Sequence, residues 1–396
     1  MEKLKYNARL IFGFLRIEMQ AVIAIAFAAF IFNTSEFIPI GLLTLIATDF
    51  GITEAKAGFL MSVYAWVVAL ASLPLMLACS RFDLRRLLLF VMGLFIVSHI
   101  FSTFADNYYM LMASRLGVAC AHALFWSIAT PMAVRVAPKG KESVAISFVI
   151  VGTSIALLAG LPLGRVIGLY LGWRVSFFSI GIVAFLVFLV LLKTLPQMPT
   201  SGAISLRSLP QLLKTPKLLG VYGITMCLVT AHFIAYSYIE PFLAQNAHFS
   251  QNAITATLII FGAMGIVGGY LFSKYHDKYK ETFLTFAIFG VFVALLLLKL
   301  LSFSRFGVVL VCLLWGLSIV MFGLAFQAKV LHLVPVGTSV AMSIFSGIYN
   351  VGIGSGAYFG GLITEYLSVG YVGYFGAFLA FFVCVYYKGS FAKKIP

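Results

Sequence analysis

Twelve apolar runs, each about as long as a bilayer is thick and separated by short polar breaks, dominate this chain. They lie at 20–47, 57–79, 87–104, 108–134, 144–168, 175–192, 218–239, 253–272, 282–301, 306–331, 340–363 and 369–387. A helix needs about 20 apolar residues to cross a hydrocarbon core of ~30 Å, and a segment inside lipid must satisfy its own backbone hydrogen bonds. The pattern therefore predicts a bundle of membrane helices. Twelve of them leave short loops and no room for a soluble domain. With 62% hydrophobic and 10% charged residues, the chain has too little polar surface to fold in water. The stretch before the first run mixes Lys3, Lys5, Arg9, Arg16 and Glu18 with apolar residues and carries no small-residue cleavage site after a compact apolar core. It reads as an amphipathic lead-in, not a removable signal.

The net charge of +15 would suit nucleic acid, but the placement of the cations decides otherwise. With the N-terminus inside, all but six of the 27 lysines and arginines fall in cytoplasmic segments. Lys56, Arg174, Lys299 and Arg305 lie on the opposite side, and Arg115 and Arg165 lie in or near the membrane. This is the alternation of the positive-inside rule, which places both termini in the cytoplasm. No contiguous basic surface remains for nucleic acid. Cys79, Cys120, Cys227, Cys312 and Cys384 stand apart, without pairing or metal-ligand spacing, and read as packing residues. Neither a metal nor a cofactor is expected.

The longest hydrophilic connection, 193–217, holds Pro196, Pro199, Pro210 and Pro216 and falls mid-chain. It reads as a cytoplasmic linker between a first bundle, 1–192, and a second, 218–396. A shift of 196 residues lays Ala145, Ser147, Gly160 and Gly164 on Ala341, Ser343, Gly356 and Gly360, which superposes span five on span eleven. Spans four and ten also end alike, with Arg135 shortly before Pro138 and Lys329 shortly before Pro335. The expected fold is an all-α membrane protein of twelve helices in two pseudo-symmetric six-helix bundles.

An ionisable residue at the centre of a span costs about 2.5–3.5 kcal/mol on insertion scales, so it normally faces a cavity or a partner. Span one places Asn33, Glu36 and Pro39 together. Asn33 and Glu36 share a helical face with Ile40, and Pro39 removes a backbone donor and loosens the turn before it. A carboxyl group withdrawn from water can exist as neutral acid or charged base near physiological pH, which a proton-coupled carrier requires of Glu36. The plainer reading is a wetted carboxylate at the outer interface. Span four carries Arg115, His122 and Trp126 on one stripe. Arg115 is always charged and needs a partner, for which Glu36 is available; His122 can relay a proton or simply bond a neighbour. Span seven aligns Thr225, His232, Tyr236 and Glu240, with Pro241 following. Such a face suits a sugar; the plainer reading of Glu240 and Pro241 is a cap at the outer end of the span. Gln327 and Asn350 look like buried polar side chains able to reach the same cavity or to act as interhelical glue. His99 reads as structural. Gly152, Ala156, Gly160, Gly164, Gly168 and Gly172 recur at every fourth position along span five, and Gly352, Gly356 and Gly360 repeat this in span eleven. Small residues at that spacing let backbones approach closely.

Gly160-Leu161-Pro162-Leu163-Gly164 resembles the antiporter motif of drug and sugar exporters in the major facilitator superfamily, and Arg115-Leu116-Gly117 resembles that superfamily's fourth-helix arginine motif. Phe32-Asn33-Thr34-Ser35-Glu36-Phe37, the Tyr64–Leu70 run, the Ala121–Ser127 stretch and the Ala235–Phe242 stretch together resemble the SotB-type family of bacterial sugar efflux transporters, over nearly the whole chain. The resemblance implies a major facilitator fold, with substrate held between two bundles. It also implies proton-driven export of arabinose, lactose and thiogalactosides such as IPTG across the bacterial inner membrane. The partners would then be sugar, protons and membrane lipid, and a monomer is expected. Gly160, Pro162 and Gly164 would be the conformational element. One loop departs from the pattern: Arg81-Phe82-Asp83-Leu84 precedes Arg85 and Arg86, so Asp83 is displaced and the usual inner-gate charges do not carry over; Asp277, between Lys274 and Lys280, is similarly placed. A multidrug/proton antiporter for hydrophobic compounds is the alternative, given 15% aromatic residues. An enzyme acting on lipid would need clustered acids, histidines or nucleophiles near one interface, and the six histidines are dispersed.

Overall fold

The computed structural model describes residues 2–199, 214–334 and 338–391. These are helical with short connections: α1 (Glu2–Gly41), α2 (Leu43–Phe50), α3 (Glu54–Cys79), α4 (Leu84–Thr103), α5 (Tyr108–Val136), α6 (Glu142–Ile155), α7 (Leu161–Leu171), α8 (Trp173–Thr194), α9 (Pro216–Tyr236), α10 (Gln251–Tyr275), α11 (Lys280–Leu300), α12 (Arg305–Leu333), α13 (Thr338–Tyr366) and α14 (Val372–Tyr386). Eleven helical stretches among the described residues are long and apolar enough to cross a membrane, the α6–α7 pair counting as one. The chain is thus an all-helical, multi-pass membrane protein. The expected span at 340–363 falls inside the 29-residue α13, but its glycines and Asn350 dilute its hydropathy, and it is not one of the eleven. The linker residues 200–213 and Pro335 lie outside the described residues.

Local chemistry sets the helix ends. Thr53, Asp83, Asn107, Ser250 and Ser304 each accept a backbone N–H of the first turn of α3, α4, α5, α10 and α12, satisfying donors that would otherwise be orphaned. Gly172, with φ of 91°, lets α7 turn directly into α8. Span one, expected to run unbroken to 47, stops at Gly41 and resumes at Leu43. Pro39 contributes: it cannot donate to the carbonyl four residues back, which weakens the last turn, and the helix ends two residues later. Pro162 acts similarly in span five, where a π-turn at Ala156–Gly160 precedes it. Asp83, displaced relative to the family pattern, also accepts the Met198 N–H at 2.7 Å. It thus clamps the start of the linker to the 80–86 loop.

The glycine stripes do what their spacing predicts. Gly152, Gly160, Gly164 and Gly168 bring span five against Ala26, Thr34 and Ile38 of α1 and Leu42 just after it, and Gly352, Gly356 and Gly360 bring α13 against Val229, Thr230, Phe233 and Ile234 of α9. The 196-residue shift carries Thr34 onto Thr230 and Ile38 onto Ile234, so one packing scheme is used twice. It also relates two further contacts. Gly262 of α10 packs on the Leu158 backbone, and Gly354 of α13 packs on Trp66 of α3; the shift turns 158 into 354 and 66 into 262, exchanging the pairs. Phe37 stacks on its own counterpart, Phe233, with centroids 6.1 Å apart and rings 17° from parallel.

Candidate functional site

Four helices meet around Glu36. The packing of α1 on α6 and α7 turns Ser35 and Glu36 toward α3, α4 and α5. The side chain of Glu36 is 7% exposed, and its Oε2 lies 3.7 Å from His122 Nε2, beyond hydrogen-bond reach. His122 Nδ1 is 2.8 Å from the Tyr64 hydroxyl. If Tyr64 donates to Nδ1, the ring proton sits on Nε2, the nitrogen turned to Glu36. Arg115 donates to Ser35 Oγ at 3.2 Å, and that hydroxyl lies 2.8 Å from His99 Nε2. The guanidinium also lies over the Tyr64 ring, 4.4 Å from its centroid. Glu36, the available partner, makes no ion pair with Arg115 within 4.0 Å, although the two charges act on each other electrostatically. Tyr349 of α13 lies within electrostatic reach of Glu36 from the other side. Trp126 packs against His122 and Phe125 and is half-buried.

Asn33 donates to the Thr153 carbonyl at 3.4 Å, and so faces span five, away from His122. His232 and Tyr236 sit in a buried aromatic group with Phe261 and Trp315. The imidazole stacks on Tyr236 at 4.9 Å, Tyr236 stacks on Phe261 at 4.7 Å, and Trp315 meets all three edge-on. His232 Nδ1, Trp315 Nε1 and Asn350 Oδ1 are buried without a hydrogen-bond partner, although Asn350 Nδ2 donates to Ser346 O. The 196-residue shift places His232 opposite Glu36, so one pseudo-equivalent position is acidic and the other imidazole. Gln327, expected to be buried, is exposed near the end of α12; its place on the helix turns it away from the packed face holding Phe322 and Phe326.

Glu240 belongs to a different assembly, at the end of the bundle opposite the termini. It pairs with Arg165 at 3.1 Å, with both side chains buried. Arg165 also donates to Gly41 O at 2.6 Å and to Gln251 Oε1. Thr44 donates its N–H to Glu240 Oε2, and its hydroxyl lies 2.6 Å from Glu240 and 2.8 Å from Glu54. Gln245 Nε2 bonds both oxygens of Glu54. Residues before the linker (Gly41, Thr44, Glu54, Arg165) and after it (Glu240, Gln245, Gln251) are thus tied into one network. Tyr238 adds to this seam by fitting between Gly58 and Gly361. This face is shut.

The sequence reading gave Glu36, Arg115 and His122 the proton and set Trp126, His232 and Tyr236 with Asn33, Glu36, His122, Glu240, Gln327 and Asn350 about one substrate pathway; the structure places Glu36, His122 and Trp126 in one cluster, with Arg115 beside it on Ser35, and His232 with Tyr236 in a second. It separates Asn33, Glu240 and Gln327 from both. Tyr64, Ser35 and the Arg165 network were missed, and His99, read as structural, bonds the Ser35 hydroxyl. The available signal for Arg165 was a charged side chain inside the small-residue stripe of span five, which demands a buried partner.

No group of three or more possible metal ligands occurs among the described residues. The groups available are a buried carboxylate, imidazoles, hydroxyls, a guanidinium and aromatic rings, which can hydrogen-bond and stack. The sequence model of the Major Facilitator Superfamily matches residues 25–340, most of the chain and the helices just described except the start of α1, all but the first turn of α13, and α14. The protein therefore belongs to the Major Facilitator Superfamily, whose members are secondary transporters.

Proposed function

We propose that the chain exports sugars in exchange for protons by alternating access across the bacterial inner membrane. Twelve spans form two six-helix halves, and both termini are cytoplasmic. The observation that carries the proton-coupling part is the contrast between the two buried carboxylates among the described residues. Glu240 is neutralised by Arg165 at 3.1 Å, whereas Glu36 has no cationic partner within bonding distance and only His122 at 3.7 Å. An ionised carboxylate left unpaired at low dielectric is costly, so the charge on Glu36 and the arrangement of the helices around it are linked. His122, Tyr64, Ser35 and Arg115 supply the route and the alternative partner. A sugar entering from the terminus side would meet Trp126, Tyr349 and Asn350 at the seam between the halves. Its hydroxyls would find the unpartnered Asn350 Oδ1, and the face of its ring a flat apolar support. The two half-related contacts, Gly262 on Leu158 and Gly354 on Trp66, support the rocking of one half against the other.

The buried aromatic group of His232, Tyr236, Phe261 and Trp315 favours a second reading, a multidrug/proton antiporter, because a planar lipophilic compound would fit such a lining as well as a sugar ring. Proteoliposomes loaded with a thiogalactoside or a lipophilic cation, under an imposed pH gradient, separate the two. The expected result is proton-driven efflux of the thiogalactoside. In Glu36→Gln that efflux is expected to fall at least about 100-fold, while gradient-free exchange of labelled for unlabelled thiogalactoside is retained. Unchanged pH-driven efflux in Glu36→Gln removes the proton role, and transport of the lipophilic cation alone removes the sugar.

A further inference from the structure

A groove of about 520 Å³ runs along the bundle exterior between α9 and α14, lined by Pro216, Leu219, Gly220, Gly223, Cys227 and Phe382 and their apolar neighbours. Leu219 and Phe382 are 44% and 52% exposed, so the groove opens outward, where lipid lies. From Pro216 to Cys227 a helix rises about 16 Å, roughly half of a ~30 Å hydrocarbon core. The groove is therefore one leaflet deep and lies on the side of the chain termini. Gly220 and Gly223 form its floor, and a Cβ added at Gly223 would meet no atom within 4 Å.

The mouth of the groove is cationic. Lys214 and Lys217 flank Pro216 and are both exposed. Lys217 precedes Ile224 by seven residues, which places it on the same helical stripe as that edge of the groove. Lys217 and Lys280 also act electrostatically on Lys329, with Glu281 as the opposing acid. The N-terminal end of α9 adds its partial positive charge at the same level.

We propose that this groove is a binding site for an anionic glycerophospholipid of the terminus-side leaflet. One acyl chain lies over Gly220 and Gly223, and the phosphate is held by Lys214, Lys217 and the start of α9. The apolar lining alone would accept any chain, and the lysines select the headgroup. The site is independent of what the carrier transports.

Native mass spectrometry of the purified full chain, titrated with phosphatidylglycerol or phosphatidylcholine, tests this. Phosphatidylglycerol is expected to form its first adduct at least about tenfold more tightly. Gly223→Leu fills the groove from an open position and should remove that adduct, while Gly223→Ala should keep it. Lys214→Gln with Lys217→Gln should weaken phosphatidylglycerol by about fivefold per lysine and leave phosphatidylcholine unchanged. Equal retention of the two lipids, or an unaltered first adduct in Gly223→Leu, overturns the proposal. A dimer mass that disappears in Gly223→Leu assigns the groove to a second copy of the chain and overturns it too.

Discussion

Replacing Glu240 by Gln tests whether the network opposite the termini is a lock. The substitution keeps the shape of the side chain and removes its charge. Arg165, 1% exposed, then remains buried without its counter-ion. Deleting one partner of a buried pair typically costs about 3–5 kcal/mol. Arg165 would keep its bonds to the Gly41 carbonyl and to Gln251, which argues for the lower end, ~3 kcal/mol, and hence a shift of roughly 100-fold in the equilibrium between closed and open arrangements of this face. Lys56 and Glu365 line a cleft at the same end, on α3 and α13. Spin labels at these positions, with the five native cysteines replaced, read the separation by pulsed electron resonance. The parent should give a short, narrow distance distribution, and Glu240→Gln a dominant longer one. Adding Arg165→Gln removes the orphaned charge and should restore much of the short population, because removing both members of a buried pair is far less costly than removing one. An unchanged distribution in Glu240→Gln, or no recovery in the double variant, would refute the lock.

Two further outcomes are expected. A Cβ at Gly262 would lie 2.5 Å from Leu157 O and 2.8 Å from Leu158 Cα, both backbone atoms. Gly262→Ala should therefore disfavour the closed face by about 1–3 kcal/mol in the same distance measurement, while Gly265→Ala, whose Cβ has 4.0 Å of clearance to Val320, should leave it unmoved. Asp83→Ala removes both the cap of α4 and the acceptor of the Met198 N–H, worth about 2 kcal/mol together. Amide exchange at Met198 should speed up by at least tenfold, and unaltered exchange would show that the linker is held elsewhere.

Spans were legible because lipid removes alternatives: a run of apolar residues in a bilayer must be helical; the capping residues Thr53, Asp83, Asn107, Ser250 and Ser304 became evident only in the structure. The stripe of span five was legible because backbone approach tolerates little but glycine and alanine at each fourth position. The break after Gly41 was only half legible; Pro39 marked a loosened turn, but not that α2 would start anew. The site was harder to read, since its partners come from four helices whose mutual rotation no local pattern records. Ser35 and Tyr64 are ordinary packing residues until Arg115 and His122 are placed against them. His99, dismissed as structural, lies one hydroxyl away from Arg115. Gln327 misled because a polar residue in an apolar run looks buried wherever its helix faces, and on α12 it is exposed instead.

A short piece of chain runs from Glu36 to Thr44, which hydrogen-bonds Glu240, and that piece is where coupling between the two buried carboxylates would have to pass. Glu36 lies five residues before Gly41, whose carbonyl receives Arg165, and eight before Thr44, which binds Glu240. Between them stands Pro39, which leaves the Ser35 carbonyl without its helical donor. Ser35 is also the residue that holds Arg115 and His99. A change of charge at Glu36 that drew Arg115 from Ser35 would act on the one turn of α1 whose hydrogen bonding is already incomplete. It would be felt first at Gly41 and Thr44, the two α1–α2 contacts of the lock. A continuous helix would resist such a shift along its whole ladder; here a proline and the break at Leu42 confine it to a few residues. In the proposed carrier, proton binding is therefore linked by local geometry to the contacts that hold the far face shut, and their release permits one half to rock against the other.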